Sequence, residues 1–213
     1  MHTQWINHEH NPHLILFFNG WGMDANVLSQ MDHSGFDVLM VYDYSNGELI
    51  LPPLHQYQTI ILVAWSMGVW AAHWSLMKPN LAIAINGTPT PMNESTGINP
   101  ALFTATHQGW SEASRQKFNW RVAGGRAAWT DQQHHFPKRA VDDQKLELES
   151  IAANCLKETS PLAWDKAIIG TADAIFLPVN QHAYWDGQTP TIEVEMPHWP
   201  FHHFNNWNSI IAL

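Results

Sequence analysis

The chain has 213 residues, a formal net charge of −9 and a 45% share of hydrophobic residues. This length suffices for one α/β domain with an insertion and is too short for two full domains. The acidic balance argues against a general affinity for nucleic acid. The single cysteine, Cys155, excludes an intramolecular disulfide and a cysteine metal cluster, and it favours a reducing compartment.

The first 13 residues show neither a basic segment nor the apolar stretch of a secretory leader. No apolar run approaches the roughly 18 residues of a membrane span. We therefore expect a soluble, cytoplasmic protein that does not bind a membrane.

Short apolar runs bounded by turn residues predict buried strands along most of the chain. These predicted strands are 14–18, 36–42, 59–63, 81–85, 167–170 and 191–195. Helices are predicted at 25–31, from Ser66 to about Met77, from near Pro178, and at 202–212. This alternation predicts an α/β fold with a mostly parallel sheet flanked by helices.

The alternation is interrupted between about Asn99 and Ser160, where polar, helix-compatible sequence carries scattered aromatic residues. We interpret this segment as a small helical cap inserted into the fold. The predicted division is therefore a core of residues 1–98 and 161–213, with the cap at 99–160.

Ser66 lies where a buried strand gives way to a helix, within Ala64-Trp65-Ser66-Met67-Gly68. This context predicts a nucleophile elbow, whose usual pattern is G-x-S-x-G. The elbow needs small residues because the serine backbone is strained and its neighbours are crowded. Ala64 replaces the first glycine and adds one methyl group.

A nucleophilic serine needs a base and a carboxylate that orients the base, each on a loop after a later strand. Asp173 follows the strand that ends at Gly170, and His198 follows the last strand. Asp165 precedes its strand and belongs to the wrong end of the sheet. The alternatives left open are His202 as the base and a merely structural loop role for Asp173.

The oxyanion of acyl transfer needs two backbone N–H donors, one after the nucleophile and one after an early strand. Met67 and Trp21 occupy these positions, although the glycines around Trp21 also fit an ordinary tight turn. The sequence predicts no metal, because its 14 histidines show no ligand spacing such as H-E-x-x-H. It also predicts no cofactor, since no complete dinucleotide fingerprint or P-loop is present.

Positive charge is concentrated in the predicted cap, although the chain as a whole is acidic. Residues 101–160 contain eight of the ten Lys and Arg residues. Such a local field favours an acidic partner or substrate, whereas a solvated helical face is the alternative. The candidates for this contact are Arg115, Arg121, Arg126 and Arg139.

Four motifs in order resemble a known group: N-G-W-G at 19–22, A-W-S-M-G at 64–68, G-T-A-D at 170–173 and H-W-P-F at 198–201. They are similar to the small α/β hydrolases of the BioG type, and less closely the BioH type, which release pimeloyl-ACP from its methyl ester in biotin synthesis. The resemblance covers the core and the position of the cap.

The resemblance implies a serine esterase with Ser66 as nucleophile, His198 as base and Asp173 as its orienting acid. Trp21 and Met67 would supply the oxyanion donors. An acyl carrier protein would be the partner, and Trp110, Trp120 and Trp129 are candidates to line a slot for the acyl chain.

Two other functions stay open at the level of sequence. The same serine site is compatible with a thioesterase or a broad short-chain carboxylesterase. A hydrolase fold that serves only as a binding module is the third possibility.

Overall fold

The computed structural model describes residues 1–157 and 162–213, and in them one seven-stranded sheet forms the centre of the molecule. Its order is β1-β3-β2-β4-β5-β6-β7. Only β1 runs antiparallel to its neighbour; the other pairs are parallel. The strands are β1 (His2–Asn7), β2 (His13–Phe18), β3 (Asp37–Tyr42), β4 (Thr59–Trp65), β5 (Leu81–Ile85), β6 (Lys166–Gly170) and β7 (Thr191–Val194).

All six predicted strands are present, with ends that differ by at most two residues, and β1 is an additional strand that the sequence did not predict. It reads HTQWIN and lies at the sheet edge, where none of its side chains is fully buried. An edge strand covered on one side need not be apolar, so it lacks the continuous hydrophobic run by which buried strands are recognised.

The centre of the sheet is apolar on both faces. In β2, five of the six residues are buried, and β3 and β4 each contain five buried residues. Burial on both faces explains why these strands are continuous apolar runs rather than alternating sequences. The sheet therefore offers a rigid frame from whose carboxyl ends the loops project.

The helices flank the sheet, and three of them differ from prediction; the one expected at 25–31 is a 3₁₀ helix that ends at Leu28. They are α1 (Met67–Ala71), α2 (Pro100–Gln108), α3 (Glu112–Ala123), α4 (Arg126–Gln132), α5 (Val141–Asn154), α6 (Pro178–Trp185) and α7 (Trp207–Ile211), with 3₁₀ helices at Ala25–Leu28, Ala72–Ser75 and Gln133–His135. Among the described residues, no helix combines the length and the apolar character needed to cross a membrane.

The helix after Ser66 was predicted to run to about Met77, and the structure divides this stretch into α1 and the 3₁₀ helix Ala72–Ser75, which is followed by Leu76 at φ +52°. The terminal helix was predicted at 202–212 but is only α7. Its start is set by Asn206, whose side chain accepts a hydrogen bond from the backbone N–H of Ser209 at 2.8 Å. At the terminal helix, local capping outweighs the apolar pattern.

Helices α2 to α5 lie in the segment between β5 and β6 that was predicted as the cap. Asn99 caps α2, and Ser111 and Ser114 form a reciprocal capping box at α3. Gly124 ends α3 with φ +87°, a conformation that glycine adopts without strain. The predicted boundary at 160 and 161 falls outside the described residues, so the division into core and cap stays a prediction.

Candidate active site

Ser66 sits in the sharp turn between β4 and α1, with φ +59° and ψ −125°. A non-glycine residue in this region is strained and persists only where its surroundings fix it. Here the Ser66 N–H donates to the carbonyl of Ile85 at 2.9 Å. A Cβ at Gly68 would lie 2.2 Å from the Phe18 carbonyl oxygen, so the turn has room only for glycine there.

His198 lies in the loop after β7 and joins the serine to the acid. Its Nε2 is 2.9 Å from Ser66 Oγ, and its Nδ1 is 2.8 Å from Asp173 Oδ2. An ionised carboxylate can only accept, so Nδ1 carries the proton and Nε2 accepts from the serine hydroxyl. All three side chains are almost fully buried. Such a chain of hydrogen bonds can activate a serine hydroxyl.

The Asp173 carboxylate is held by several donors besides His198. Its Oδ1 accepts from the backbone N–H groups of Ile175 and Phe176 at 2.8 and 3.0 Å. Its Oδ2 also accepts from Gln181 Nε2 at 3.2 Å. These contacts fix the orientation of the carboxylate toward the imidazole ring.

The alternatives considered for the acid and the base lie elsewhere. Asp165 precedes β6, and its carboxylate accepts from the Ala82 N–H at 2.7 Å at the start of β5. His202 is exposed in the turn that follows His198. The structure therefore brings Asp173 and His198, and neither alternative, to the serine.

Asn86 is a site residue that sequence reasoning missed. Its side-chain amide donates to the carbonyls of Pro197 and His198, both at 3.0 Å, and its oxygen accepts from the Gly170 N–H at 2.6 Å. It thereby links the end of β5 to the acid loop and the histidine loop. The only sequence signal was an asparagine directly after a buried strand, which also fits a turn.

The two residues predicted to supply the oxyanion donors, Trp21 and Met67, line the same pocket as Ser66. In the part of the chain that the structure describes, neither the Trp21 N–H nor the Met67 N–H has a hydrogen-bond acceptor. Both residues line the pocket together with Ser66 and His198. Two free backbone donors beside a serine are suited to an oxyanion.

The pocket is largely apolar and lies between the sheet and the segment 99–160. Its walls are Gly20, Trp21, Met23, Trp65, Ser66, Met67, Ile98, Leu102, Phe103, Thr106, Phe118, Arg121, Val122, Leu148, Ile175 and His198. Few polar groups interrupt this surface, so it is suited to an aliphatic chain whose reactive end reaches Ser66.

The structure places the three predicted slot tryptophans beside or away from this pocket. Trp110 packs behind the wall, with its ring 4.5 Å from that of Trp21. Trp120 and Trp129 contact each other at 6.4 Å on α3 and α4. Among the described residues, the wall is instead built from Trp21, Phe118 and aliphatic side chains, because α3 turns Phe118 rather than Trp120 inward.

The four candidate arginines have different surroundings. Arg121 is exposed, lines the pocket and donates to the Ala174 carbonyl at 2.8 Å. Arg126 is exposed and lies 5.3 Å over the ring of Trp120. Arg115 is half-buried and pairs with Glu112 on its own helix.

Arg139 differs from the other three because it points inward. Its guanidinium pairs with Glu147 and, at 3.0 Å, with Asp43. Only 9% of its side chain is exposed, so it does not offer a free charge to a partner. Sequence clustering could not separate it from the exposed arginines.

Comparison with known proteins agrees with this fold. The Haemophilus influenzae BioG crystal structure superposes with a TM-score of 0.92 at 34% identity, covering 99% of both chains. A lipase-esterase related protein from Clostridium acetobutylicum shares the fold at a TM-score of 0.59 and 12% identity, over 94% of this chain and 93% of that one. The fold is that of the α/β hydrolases.

The family is shown by a model described as pimeloyl-ACP methyl esterase BioG, which matches residues 1–210. This chain belongs to the BioG family. It is also 40% identical over 176 residues, 80% of its length, to a protein of Bacteroides fragilis named malonyl-[acyl-carrier protein] O-methyltransferase. The match spans only 36% of that longer protein.

Proposed function

We propose that this chain is a serine esterase that hydrolyses the methyl ester of pimeloyl-ACP. The observation that carries the proposal is the hydrogen-bonded chain Ser66–His198–Asp173 at an apolar pocket, in a member of the BioG family.

In the first step, Ser66 Oγ attacks the ester carbonyl while His198 Nε2 takes its proton. The negative charge on the former carbonyl oxygen is met by the backbone N–H groups of Trp21 and Met67. Collapse of this intermediate breaks the bond to the methoxy group, which leaves as methanol with the proton from His198. Asp173 stabilises the imidazolium form without taking up its proton.

In the second step, water attacks the acyl-enzyme. His198 accepts a proton from the water and returns it to Ser66 Oγ as the acyl bond breaks. The products are pimeloyl-ACP with a free carboxylate and the regenerated serine. Both steps use the same donors, so one site serves acylation and deacylation.

The apolar pocket supports a substrate with several methylene groups, since each buried CH₂ contributes about 0.8 kcal/mol. The exposed Arg121 and Arg126 support an acidic carrier, with Arg115 as a weaker contact because it already pairs with Glu112. The Bacteroides relative adds indirect support. Its printed name describes methylation of an acyl-carrier substrate, the reverse kind of change to the ester cleavage proposed here.

The decisive experiment offers the purified chain pimeloyl-ACP methyl ester and follows the carrier by mass spectrometry. We expect loss of the methyl group with the thioester intact, and no reaction with Ser66→Ala. Appearance of free carrier would identify a thioesterase instead. No turnover of this ester or of short p-nitrophenyl esters would identify a binding module.

A cellular test separates the pathway from the chemistry. Wild-type chain should restore biotin-independent growth to a host that lacks its own esterase, and Ser66→Ala should not. Esterase activity in vitro without restored growth would favour a broad carboxylesterase.

A further inference from the structure

A buried carboxylate connects α5 to the turn that carries Trp21. Glu147 has no exposed surface, although glutamate is almost never fully buried without partners. Its Oε2 accepts from the backbone N–H of Gly22 at 3.1 Å, and its Oε1 accepts from the Tyr44 N–H at 3.1 Å. The side chain thus holds the residue that directly follows the candidate oxyanion donor.

The charge of Glu147 is balanced by Arg139, which also pairs with Asp43. A buried ion pair is a weak source of stability, since apolar residues of similar volume are often as stable. What apolar residues cannot do is accept hydrogen bonds from two backbone N–H groups. The geometry therefore suggests that the carboxylate orients the backbone.

Gln144, one turn earlier on α5, holds the same turn from its other side. Its Nε2 donates to the Gly22 carbonyl at 2.9 Å, and its backbone carbonyl accepts from the Trp21 indole N–H at 2.7 Å. The turn's own closing bond, from the Met23 N–H to the Gly20 carbonyl, is longer at 3.3 Å. Contacts from α5 therefore support this turn in addition to its own hydrogen bond.

Tyr44 extends the support to the residue before the turn. Its hydroxyl donates to the Asn19 carbonyl at 2.5 Å, while its backbone N–H is bound by Glu147. Asn19 and Gly22 are thus tied, directly or through Tyr44, to one carboxylate. The peptide of Trp21 lies between these two fixed points.

We propose that Glu147 and Gln144 are positioning residues, which hold the Trp21 backbone N–H toward the oxyanion formed at Ser66. This inference rests on the proposed serine-esterase function. A preorganised donor stabilises the transition state only if it lies in place before the reaction, and displacements near 1 Å are costly.

The test compares Glu147→Gln and Gln144→Met with Glu149→Gln, an exposed residue on the same helix that loses the same charge. Hydrolysis of a short p-nitrophenyl ester is measured at pH 8. We expect kcat to fall on the order of 10- to 100-fold in the first two variants, less than for outright removal of a donor. KM should change little, and Glu149→Gln should match the wild type.

A second readout distinguishes positioning from general damage. An alkyl trifluoromethyl ketone forms an anionic adduct with the serine, so its affinity should weaken by the same factor as kcat/KM. Unchanged kcat and ketone affinity would overturn the proposal. A rise in KM with unchanged kcat would overturn it too. A loss matched by Glu149→Gln would overturn it as well.

The same variants distinguish a failure of the positioning role from a failure to fold and from a failure of the proposed function. If Glu147→Gln does not fold, Gln144→Met decides, because it keeps the Arg139–Glu147 pair and removes only the donor to Gly22. A wild type without Ser66-dependent esterase activity would overturn the proposed function and this inference together. An active wild type with unaffected variants would overturn only the inference.

Discussion

The sheet and the helical segment 99–160 hold the pocket by different physical means. Strands β2 to β5 are almost wholly apolar and buried, so close packing fixes the loops that leave their ends. In the helical segment, α4 has no buried residue, and α5 buries Gln144 and Glu147 beside Leu148 and Ile151.

The catalytic side chains and the turn of Trp21 are therefore held in position in different ways. The chain Ser66–His198–Asp173 is carried by loops of the sheet, whereas the turn of Trp21 is additionally held by polar side chains from α5. Substitutions in the Ser66–His198–Asp173 chain should abolish the reaction. Substitutions in the α5 side chains that hold the turn of Trp21 should only reduce its rate.

Asp173→Asn should have the largest effect, because an amide cannot orient His198 in the required tautomer. We expect kcat on a short ester to fall roughly 10⁴-fold. Asp165→Asn is the matched control, since Asp165 lies at the opposite end of the same strand. Equal losses in both variants would show that Asp173 does not orient the histidine.

Arg139→Met should lower the free energy of unfolding by about 3–5 kcal/mol at pH 8, because it leaves Glu147 and Asp43 without their cation. Arg126→Met, on the exposed surface of α4, should change it by less than about 0.5 kcal/mol. Urea unfolding of both variants measures the difference. Similar costs would mean that Arg139 behaves as a surface residue.

Burial raises the pKa of Glu147 to about 7, against its usual 4.5, and Arg139 only partly opposes this. Asp43 raises the pKa further, while the Tyr44 N–H lowers it. Between pH 4.5 and about 7, Glu147 is therefore protonated more often in the folded protein than in the unfolded chain. The resulting stability is fully present below pH 4.5 and is lost as the pH rises through about 7.

Urea unfolding of wild type and Glu147→Gln between pH 4 and 8 tests this linkage. The stability of the wild type relative to the variant should fall over this range, by on the order of 3 kcal/mol at most. The two proteins share every other ionisable group, including the nearby amino group of Met1, so the contributions of these groups largely cancel. A difference that stays constant or rises with pH would contradict the raised pKa.

Arg126→Glu should have the smallest effect and only on carrier-bound substrate. We expect kcat/KM for pimeloyl-ACP methyl ester to fall about tenfold at low salt, with a short ester unaffected, because the exposed charge steers association. Lys78→Glu makes the same charge change outside the helical segment and should leave both substrates unchanged. A loss on the short ester would mean that Arg126 acts on the fold.

The sequence predicted the sheet well because strands buried on both faces are continuous apolar runs. It also indicated Ser66, Asp173 and His198, since each follows a predicted strand and the carboxyl ends of parallel strands meet at one edge. Strand β1 was not predicted, because its polar edge sequence contains no continuous apolar run.

Residues that act through tertiary contacts were not predictable from local pattern. Glu147 contacts Gly22 and Tyr44, which lie more than a hundred positions away in the chain. In sequence, Arg139 does not differ from the other arginines, because its buried partners Asp43 and Glu147 are distant in the chain or indistinguishable from surface carboxylates. Phe118 rather than Trp120 forms the pocket wall, since helix orientation and not residue type decides which side chain turns inward.

The contacts of Asn86 have a consequence for the protein during its synthesis on the ribosome. Its side chain binds Gly170 and the Pro197–His198 backbone, so it holds segments that leave the ribosome long after β4 and Ser66. A nascent chain that ends before His198 contains the serine but not its base. We therefore expect fragments that lack His198 to be inert toward esters, because Ser66 has no base until the later segment has been synthesised and has folded onto the sheet.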